Sequence, residues 1–112
     1  MSQLPRAAHA TLADAKITQY LLNSAHPDGA AKAMFFRSFG FSTANWGELK
    51  KSLLNHPHRN PVTDRTSSPF GEKFEVSCSL IKPDGRNPCV VSVWIIEPPS
   101  SNPRLITAYP NP

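Results

Sequence analysis

The 112-residue sequence has few cysteines and no long apolar run, and both shortages limit the kind of protein that it can be. Two cysteines with neither a CxxC spacing nor clustered histidines give no zinc signature. No stretch approaches the ~20 apolar residues that cross a bilayer, and residues 1–16 lack the apolar run of a signal peptide. We therefore expect a cytoplasmic protein with no membrane partner, or else the C-terminal cargo of a larger exported protein.

The motifs of several enzyme classes are missing as well. The sequence has no Ser-His-Asp spacing, no paired carboxylates, no phosphate-binding P-loop and no dinucleotide fingerprint. We therefore expect neither a metal nor another cofactor.

Positive charge and proline are what the sequence has in plenty. The net charge is +4, and twelve prolines divide the chain into short elements. A predicted pI of about 9.4 favours phosphates, nucleic acid or an acidic protein as partner, although the basic residues are dispersed. A hydrophobic fraction of 39% is sufficient for one folded domain over residues 1–112.

The first half of the chain has helical periodicity. Residues 1–10 are predicted to be a loose arm, and the helical part covers residues 11–56. Its three helices run over residues 12–23, over 30–39 with Met34 in the core, and from a cap at Thr43 to Pro57. Residues 57–70 contain many prolines and polar residues and are predicted to form a long loop.

The second half, residues 71–110, has strand alternation. An Asp84-Gly85 turn predicts a hairpin in which Phe74 opposes Ile95 and Val76 opposes Val93, with an apolar face toward the helices. The same register places Cys78 and Cys89 diagonally, so that a disulfide is not expected. A third strand runs over residues 104–109. The sequence thus predicts an α+β fold, with N-terminal helices packed on one face of a C-terminal antiparallel sheet of three or more strands.

Several sequence blocks resemble known families. They are LLN..HP.G..K..FFRSFGF (21–41), W..L...L..H (46–56), PDGRNP (83–88), VW (93–94) and PR.ITAYP (103–110), which together resemble an uncharacterised bacterial domain-of-unknown-function family associated with toxins. The ITAYP segment also resembles the last strand of the barnase–EndoU–colicin–RelE ribonuclease superfamily. That resemblance implies RNA cleavage without a metal by scattered His, Lys or Arg, Ser or Thr, and Tyr residues on the exposed sheet face.

The candidate catalytic residues follow from this chemistry, which requires a base, an acid and a cation at the phosphate. His56 is the predicted acid or base, Arg104 the phosphate clamp, Thr107 a hydrogen-bonding group, and Tyr109 a stacking or proton-donating group. Strict alternation along the strand places the Arg104 side chain on the opposite face from Thr107. Arg104 therefore reaches the face of Thr107 only if the strand contains a bulge or is frayed at its start. The predicted substrate-binding residues are His58, Ser77, Ser92, Trp94 and Lys32. Of these, Ser77, Ser92 and Trp94 are expected on the polar face of the hairpin, where they would line a groove.

Structural roles are the competing interpretation of the same residues. His56 near a helix C-terminus is also typical of a cap, Tyr109 of a residue that closes the sheet, and Trp94 of a lid over it. At the level of function, the first hypothesis is a toxin-type endoribonuclease that cuts cellular RNA and is controlled by an antitoxin or immunity protein. The alternatives are a non-catalytic protein- or RNA-binding module of a toxin–antitoxin or mobile-element system, and an inert accessory protein.

Overall fold

The fold places helices before a four-stranded sheet, as expected for an α+β protein. A computed structural model describes residues 3–80 and 87–111. The helices are α1, formed by Asp14–Lys16 and a π-helical turn Ile17–Leu21, then α2, Ala30–Ser38, and α3, Trp46–Arg59. The strands are β1, Val62–Ser68, β2, Gly71–Ser79, β3, Cys89–Ile96, and β4, Arg104–Pro110. They lie in the order β1-β2-β3-β4 with every neighbouring pair antiparallel, which confirms the predicted fold class.

Helix α3 is amphipathic and packs on the sheet. Leu49 and Leu53 are fully buried at one-turn spacing, while Lys51 is exposed. The helix continues past Pro57 to Arg59, so the predicted end at Pro57 is wrong. The Asn60 side chain explains the extension, because its Nδ2 donates to the backbone oxygen of His56 at 3.0 Å and satisfies a helix-end carbonyl.

Helix α2 contributes fewer core residues than its sequence predicts. Ala33 and Phe36 are fully buried, whereas Met34, which the sequence places in the core, is 69% exposed. The helix has only nine residues and one buried stripe, so Met34 falls on its outer side.

Strand β1 lies within the predicted loop 57–70, and the loop prediction is therefore wrong from Val62 onward. Nearly all of its side chains are exposed, so the strand has no apolar alternation that a sequence pattern reveals. Backbone pairing with β2 holds it, from Val62 opposite Val76 to Ser68 opposite Gly71. Gly71 has φ 145°, and a Cβ there would lie 2.2 Å from the Ile96 oxygen, so this turn requires glycine.

The β2–β3 pairing differs by one residue from the prediction. Phe74 opposes Trp94 instead of Ile95, and Val76 opposes Ser92 instead of Val93. Strand β2 buries the predicted face, but a shift of one residue turns β3 over. Trp94 and Ser92 are consequently 0% exposed and face the helices, whereas the sequence predicts them on the polar face. The predicted Asp84-Gly85 turn lies outside the described residues.

A disulfide joins Cys78 and Cys89, so the prediction of free cysteines is wrong. In the observed register Cys78 opposes Val90, the neighbour of Cys89, and the two Cα atoms are 4.3 Å apart. The bond links β2 and β3 at the end of the pair next to their connection.

Strand β4 is an edge strand with a bulge, and the bulge determines the face on which the Arg104 side chain lies. Thr107 opposes Val93, but the next pairs are Leu105 with Trp94 and Arg104 with Ile95, so Ile106 is the extra residue. Leu105 and Ala108 are buried toward the helices. Because Val93 and Ile95 lie on one face of β3, Arg104 and Thr107 share that face.

The N-terminal arm is docked instead of loose over its described residues. Leu4 is 3% exposed and joins the core. The Thr11 N–H donates to the Pro103 oxygen at 2.9 Å, and the Leu105 N–H donates to the Thr11 oxygen at 3.1 Å. These bonds attach the arm to the start of β4.

Candidate functional site

The face of the sheet that points away from the helices carries a connected set of polar side chains. Ser92 contacts helix α3 and Trp94 belongs to the core, so strand alternation directs Val91, Val93 and Ile95 to the opposite side. Their partners on both sides share this face. We call this surface the open sheet face, and its members are Lys73, Glu75, Ser77, Val91, Val93, Ile95, Arg104, Thr107 and Tyr109.

Glu75 and Tyr109 form the central polar pair of the open sheet face. Their side chains approach each other across β3, and Glu75 lowers the acidity of Tyr109. Burial raises the pKa of Tyr109, and the Glu75 charge and hydrogen bond raise it further. Val91 and Val93, each 6% exposed, lie between the two polar strands. The pair therefore consists of an acceptor carboxylate and a phenol that keeps its proton, on an apolar floor.

Two hydroxyls extend this polar set toward β1. Ser77 Oγ lies 3.1 Å from Thr63 Oγ1, and Thr63 Oγ1 donates to the Glu75 backbone oxygen at 3.3 Å. Both side chains thus stand beside Glu75 and provide further hydrogen-bonding groups.

Arg104 stands at the far end of the same face and is held by an acidic neighbour. Its guanidinium contacts Glu97 Oε1, with Nη2 at 2.6 Å and Nε at 2.8 Å. More than half of the Arg104 side chain is exposed. A planar guanidinium with exposed N–H groups is suited to an oxyanion.

Thr107 connects the open sheet face to a group of residues beside β4. The Tyr20 hydroxyl lies 3.3 Å from Thr107 Oγ1, and the Tyr20 ring has Lys16 Nζ at 5.4 Å and Lys32 Nζ at 5.5 Å from its centroid. His26 packs edge-on against the same ring at 5.0 Å. We call Lys16, Tyr20, His26 and Lys32 the edge cluster.

The charges of the edge cluster alter the acidity of Tyr20. Burial raises the pKa of its phenol, but the hydrogen bonds with Thr107 and Lys32 and the positive charges of Lys32 and Lys16 outweigh burial and lower the pKa below 10.0. The backbone of Tyr20 packs closely against Gly29, because a Cβ on Gly29 would lie 2.5 Å from the Tyr20 backbone oxygen.

His56 lies on the other side of the sheet from Thr107 and Tyr109. It is 1% exposed, with Nδ1 2.8 Å from Ser92 Oγ and Nε2 2.6 Å from the Cys78 oxygen. Burial lowers the pKa of its imidazole. The structure therefore does not bring His56 together with the other three predicted catalytic residues.

The predicted substrate-binding residues divide between the two sides of the sheet. Ser77 lies on the open sheet face. Lys32 lies beside the ring of Tyr20, whose hydroxyl contacts Thr107 on that face. Ser92 and Trp94 have no exposed surface, and so their predicted place in a groove is wrong. His58 is exposed on the last turn of α3, the helix that packs on the opposite face.

Glu75 and Tyr20 are the functional candidates that sequence reasoning missed. The sequence places Glu75 on the polar face of β2. Its carboxylate among serines on that face is the feature by which the sequence could have identified it as a candidate. Tyr20 meets Thr107 across 87 positions of the chain, and no local pattern predicts such a contact.

Two general features of the described residues bear on the class of protein. Over residues 3–80 and 87–111, no group of three His, Cys, Asp or Glu side chains is close enough to hold a metal ion. In the same part of the chain, no helix has the length and apolar character to span a membrane.

Comparison with known proteins identifies a family. The chain belongs to the family described as Domain of unknown function (DUF6883), whose model matches residues 3–112. This confirms the expected place in an uncharacterised domain family. No curated protein matches the sequence.

The fold is shared over nearly the whole chain with a structure that has been solved. A chain of the contact-dependent growth inhibition toxin–immunity protein complex from Klebsiella pneumoniae 342 has a TM-score of 0.71 with this protein. The identity is 16%, and the match covers 95% of this chain and 97% of that chain. At this identity the likeness establishes a common fold.

Proposed function

We propose that this protein is a metal-independent endoribonuclease of bacterial toxin type that cleaves cellular RNA and is controlled by an immunity protein or antitoxin. The observation that carries the proposal is the open sheet face, on which Glu75, Thr107 and Tyr109 stand in neighbouring positions, with Arg104 on the same side. Cleavage by the 2′-hydroxyl of RNA needs a base, an acid and a cation, and these residues are of those three kinds.

Glu75 is the base in this proposal and Tyr109 the acid. The Glu75 carboxylate accepts the proton of the 2′-hydroxyl, whose oxygen attacks phosphorus while the bond to the 5′-oxygen breaks. Tyr109, kept protonated by its raised pKa, donates its proton to that 5′-oxygen. The products are a 2′,3′-cyclic phosphate and a 5′-hydroxyl. Proton transfer from Glu75 back to Tyr109 restores the starting state.

Arg104 and Thr107 act on the phosphate in this scheme. The guanidinium exchanges its Glu97 partner for a non-bridging phosphate oxygen and stabilises the charge that grows there. The Thr107 hydroxyl donates a hydrogen bond to the same group. His56 has a positioning role, because it fixes β2 and β3 from below through Cys78 and Ser92.

The fold likeness and the charge support a toxin system as the setting. The similar structure is a complex of a growth inhibition toxin with its immunity protein, and the present chain is basic, with a net charge of +4. A basic ribonuclease attracts RNA, and its inhibitor is expected to be acidic for the same reason. The domain is then the part that acts inside a target cell, in line with delivery as cargo.

The proposal is tested by incubating the purified protein with total RNA in the presence of EDTA. We expect cleavage that leaves 2′,3′-cyclic phosphate ends. Glu75→Gln and Tyr109→Phe should each lower the rate by roughly 100-fold or more. Glu72→Gln, in the same strand but paired with Arg65 at the hairpin tip, is the matched control and should retain activity. Full activity of Glu75→Gln, or cleavage only with added divalent metal, would contradict the proposal.

A second candidate function, a non-catalytic protein-binding module, is favoured by strand β1. This edge strand is almost entirely exposed, and Phe70 at the tip of its hairpin is 76% exposed. Exposed edges pair readily with a strand of another protein. If expression is harmless and RNA stays intact while a toxin or immunity protein co-purifies, and Phe70→Ser weakens that complex, the binding module replaces the enzyme.

A further inference from the structure

The edge cluster concentrates positive charge outside the proposed reaction centre. Lys16 and Lys32 both place their ammonium groups within 5.5 Å of the Tyr20 ring centroid. Over the described residues neither lysine has a carboxylate partner, since the nearby Asp14 is paired with Lys50 at 2.5 Å, and Lys32 Nζ donates to the Asp28 backbone oxygen at 3.4 Å. Two ammonium groups without acidic partners, held around one ring, are suited to an anion.

His26 adds a neutral donor to the same cluster. Its Nδ1 accepts hydrogen bonds from the backbone N–H groups of Asp28 at 3.0 Å and Gly29 at 3.1 Å. A nitrogen that accepts two N–H groups carries no proton, so the proton of this imidazole is on Nε2. The turn thereby fixes the ring against Tyr20 and leaves Nε2–H as a donor.

A hollow of about 450 Å³ lies at this cluster. It is lined by Ala13, Ala15, Lys16, Gln19, Tyr20 and His26. Its volume lies within the range of small-ligand sites, and it combines an ammonium, an amide, a phenol and an imidazole with two small side chains. The small alanines leave the polar groups accessible.

We propose that the edge cluster is a second RNA subsite, which binds the phosphate of a nucleotide adjacent to the one being cleaved. This inference rests on the proposed function. Tyr20 connects the two sites, because its hydroxyl is 3.3 Å from Thr107 Oγ1 on the open sheet face. An RNA strand that places one phosphate at Arg104 and Thr107 then passes over the β4 edge, where Lys16, Lys32 and His26 bind the next backbone group.

Binding of an uncleavable RNA tests the subsite separately from catalysis. The probe is a fluorescently labelled 2′-O-methyl oligouridine, which lacks the nucleophilic hydroxyl, and its anisotropy is measured over a salt series. The double variant Lys16→Gln/Lys32→Gln should bind about 10-fold more weakly at low salt. Its slope of log affinity against log salt should be shallower by about 0.7 for each phosphate that the variant no longer neutralises.

The control has to remove the same charge elsewhere. Lys51→Gln/Arg59→Gln takes two positive charges from exposed positions of α3, away from β4, and should bind much more tightly than the edge-cluster variant. Equal affinities and slopes for the two double variants would overturn the subsite. Circular dichroism on each variant establishes that all are folded to the same extent.

Cleavage kinetics distinguish a failed subsite from a failed function. If the protein cleaves RNA, the edge-cluster variant should raise KM for a long RNA several-fold and leave cleavage of a dinucleotide unchanged, because a dinucleotide does not reach the cluster. If the protein cleaves no RNA but the probe still binds through Lys16 and Lys32, the proposed function fails and the edge cluster stands as an RNA-phosphate binding site. Unchanged probe binding in the edge-cluster variant removes the subsite whether or not RNA is cleaved.

Discussion

His56 Nδ1 lies 2.8 Å from Ser92 Oγ, and this contact joins helix α3 to the centre of the sheet. Nε2 lies 2.6 Å from the Cys78 backbone oxygen, which only accepts, so Nε2 carries the proton. Nδ1 must then accept from the Ser92 hydroxyl, whose oxygen accepts in turn from the Trp94 indole at 2.8 Å. The imidazole, hydroxyl and indole thus form one buried chain of hydrogen bonds, and burial, which lowers the pKa of the imidazole, favours its neutral form.

The first prediction follows from this chain of hydrogen bonds. His56→Ala removes a buried side chain and leaves the Ser92 hydroxyl and the Cys78 oxygen without their partner. We expect the free energy of unfolding to fall by about 2–4 kcal/mol. Urea denaturation measures it. His58→Ala, an exposed histidine on the same helix, is the control and should change stability by less than about 0.5 kcal/mol.

The same variants separate a positioning role from a catalytic one. At a temperature where His56→Ala remains folded, its rate of RNA cleavage per folded molecule should stay within a few-fold of the native rate. The rate of Glu75→Gln should fall by roughly 100-fold or more under the same conditions. A decrease of roughly 100-fold or more in folded His56→Ala would instead support the catalytic role that the sequence predicts for this residue.

A pH dependence of stability is the second prediction. Burial lowers the pKa of His56 in the folded protein below 6.5, its ordinary value. As the pH falls below 6.5, the unfolded chain binds a proton there and the folded one does not, so stability decreases. The stability difference between the native protein and His56→Gln should therefore shrink from about pH 7 to about pH 5. A constant difference over this range, measured by urea denaturation, would be inconsistent with a neutral buried His56.

The sequence was sufficient for the fold class but not for the face of β3. Strand β2 alternates strictly, with Phe74 and Val76 apolar between polar neighbours, and its buried face is predicted correctly. Strand β3 is apolar on both faces, so apolar side chains are buried in either of two registers that differ by one residue. The sequence pattern therefore does not distinguish these registers. What decides the shift is tertiary: Trp94 buries its large ring and its N–H finds Ser92 beneath α3. Strand β1 has no apolar pattern at all.

Part of the candidate site was likewise predictable. Thr107 and Tyr109 lie on the open sheet face as alternation indicates, and the bulge at Ile106 provides one of the two routes by which Arg104 was expected to join them. Glu75 and Tyr20 were not predictable as partners, because their contacts with Tyr109 and Thr107 join distant segments.

The third prediction concerns the Cys78–Cys89 disulfide. Cross-linking two residues that are 11 positions apart restricts the unfolded chain, and for a loop of this length the expected stabilisation is about 2–3 kcal/mol. Reductant should therefore lower the melting temperature of the native protein, measured by circular dichroism. Cys78→Ala/Cys89→Ala should melt near the reduced native protein and should not respond to reductant. An equal response of both proteins would show that the effect does not come from this bond.

The fourth prediction uses the fact that the chain has two tyrosines with opposite environments. The pKa of Tyr20 is lowered by Thr107, Lys32 and Lys16 against the effect of burial, and that of Tyr109 is raised by burial and by Glu75. Tyrosinate absorbance should therefore rise in two separate steps, one on each side of pH 10.0. Tyr20→Phe should retain only the later step and Tyr109→Phe only the earlier one.

Two charge variants assign the cause of each step. Glu75→Gln removes the negative charge beside Tyr109 and should move the later step to lower pH, while leaving the earlier step in place. Lys32→Gln removes a positive charge beside Tyr20 and should move the earlier step to higher pH. Far-UV circular dichroism over the same pH range establishes that the protein stays folded. A single step at the ordinary tyrosine pKa would mean that neither the Glu75–Tyr109 pair nor the edge cluster forms in solution.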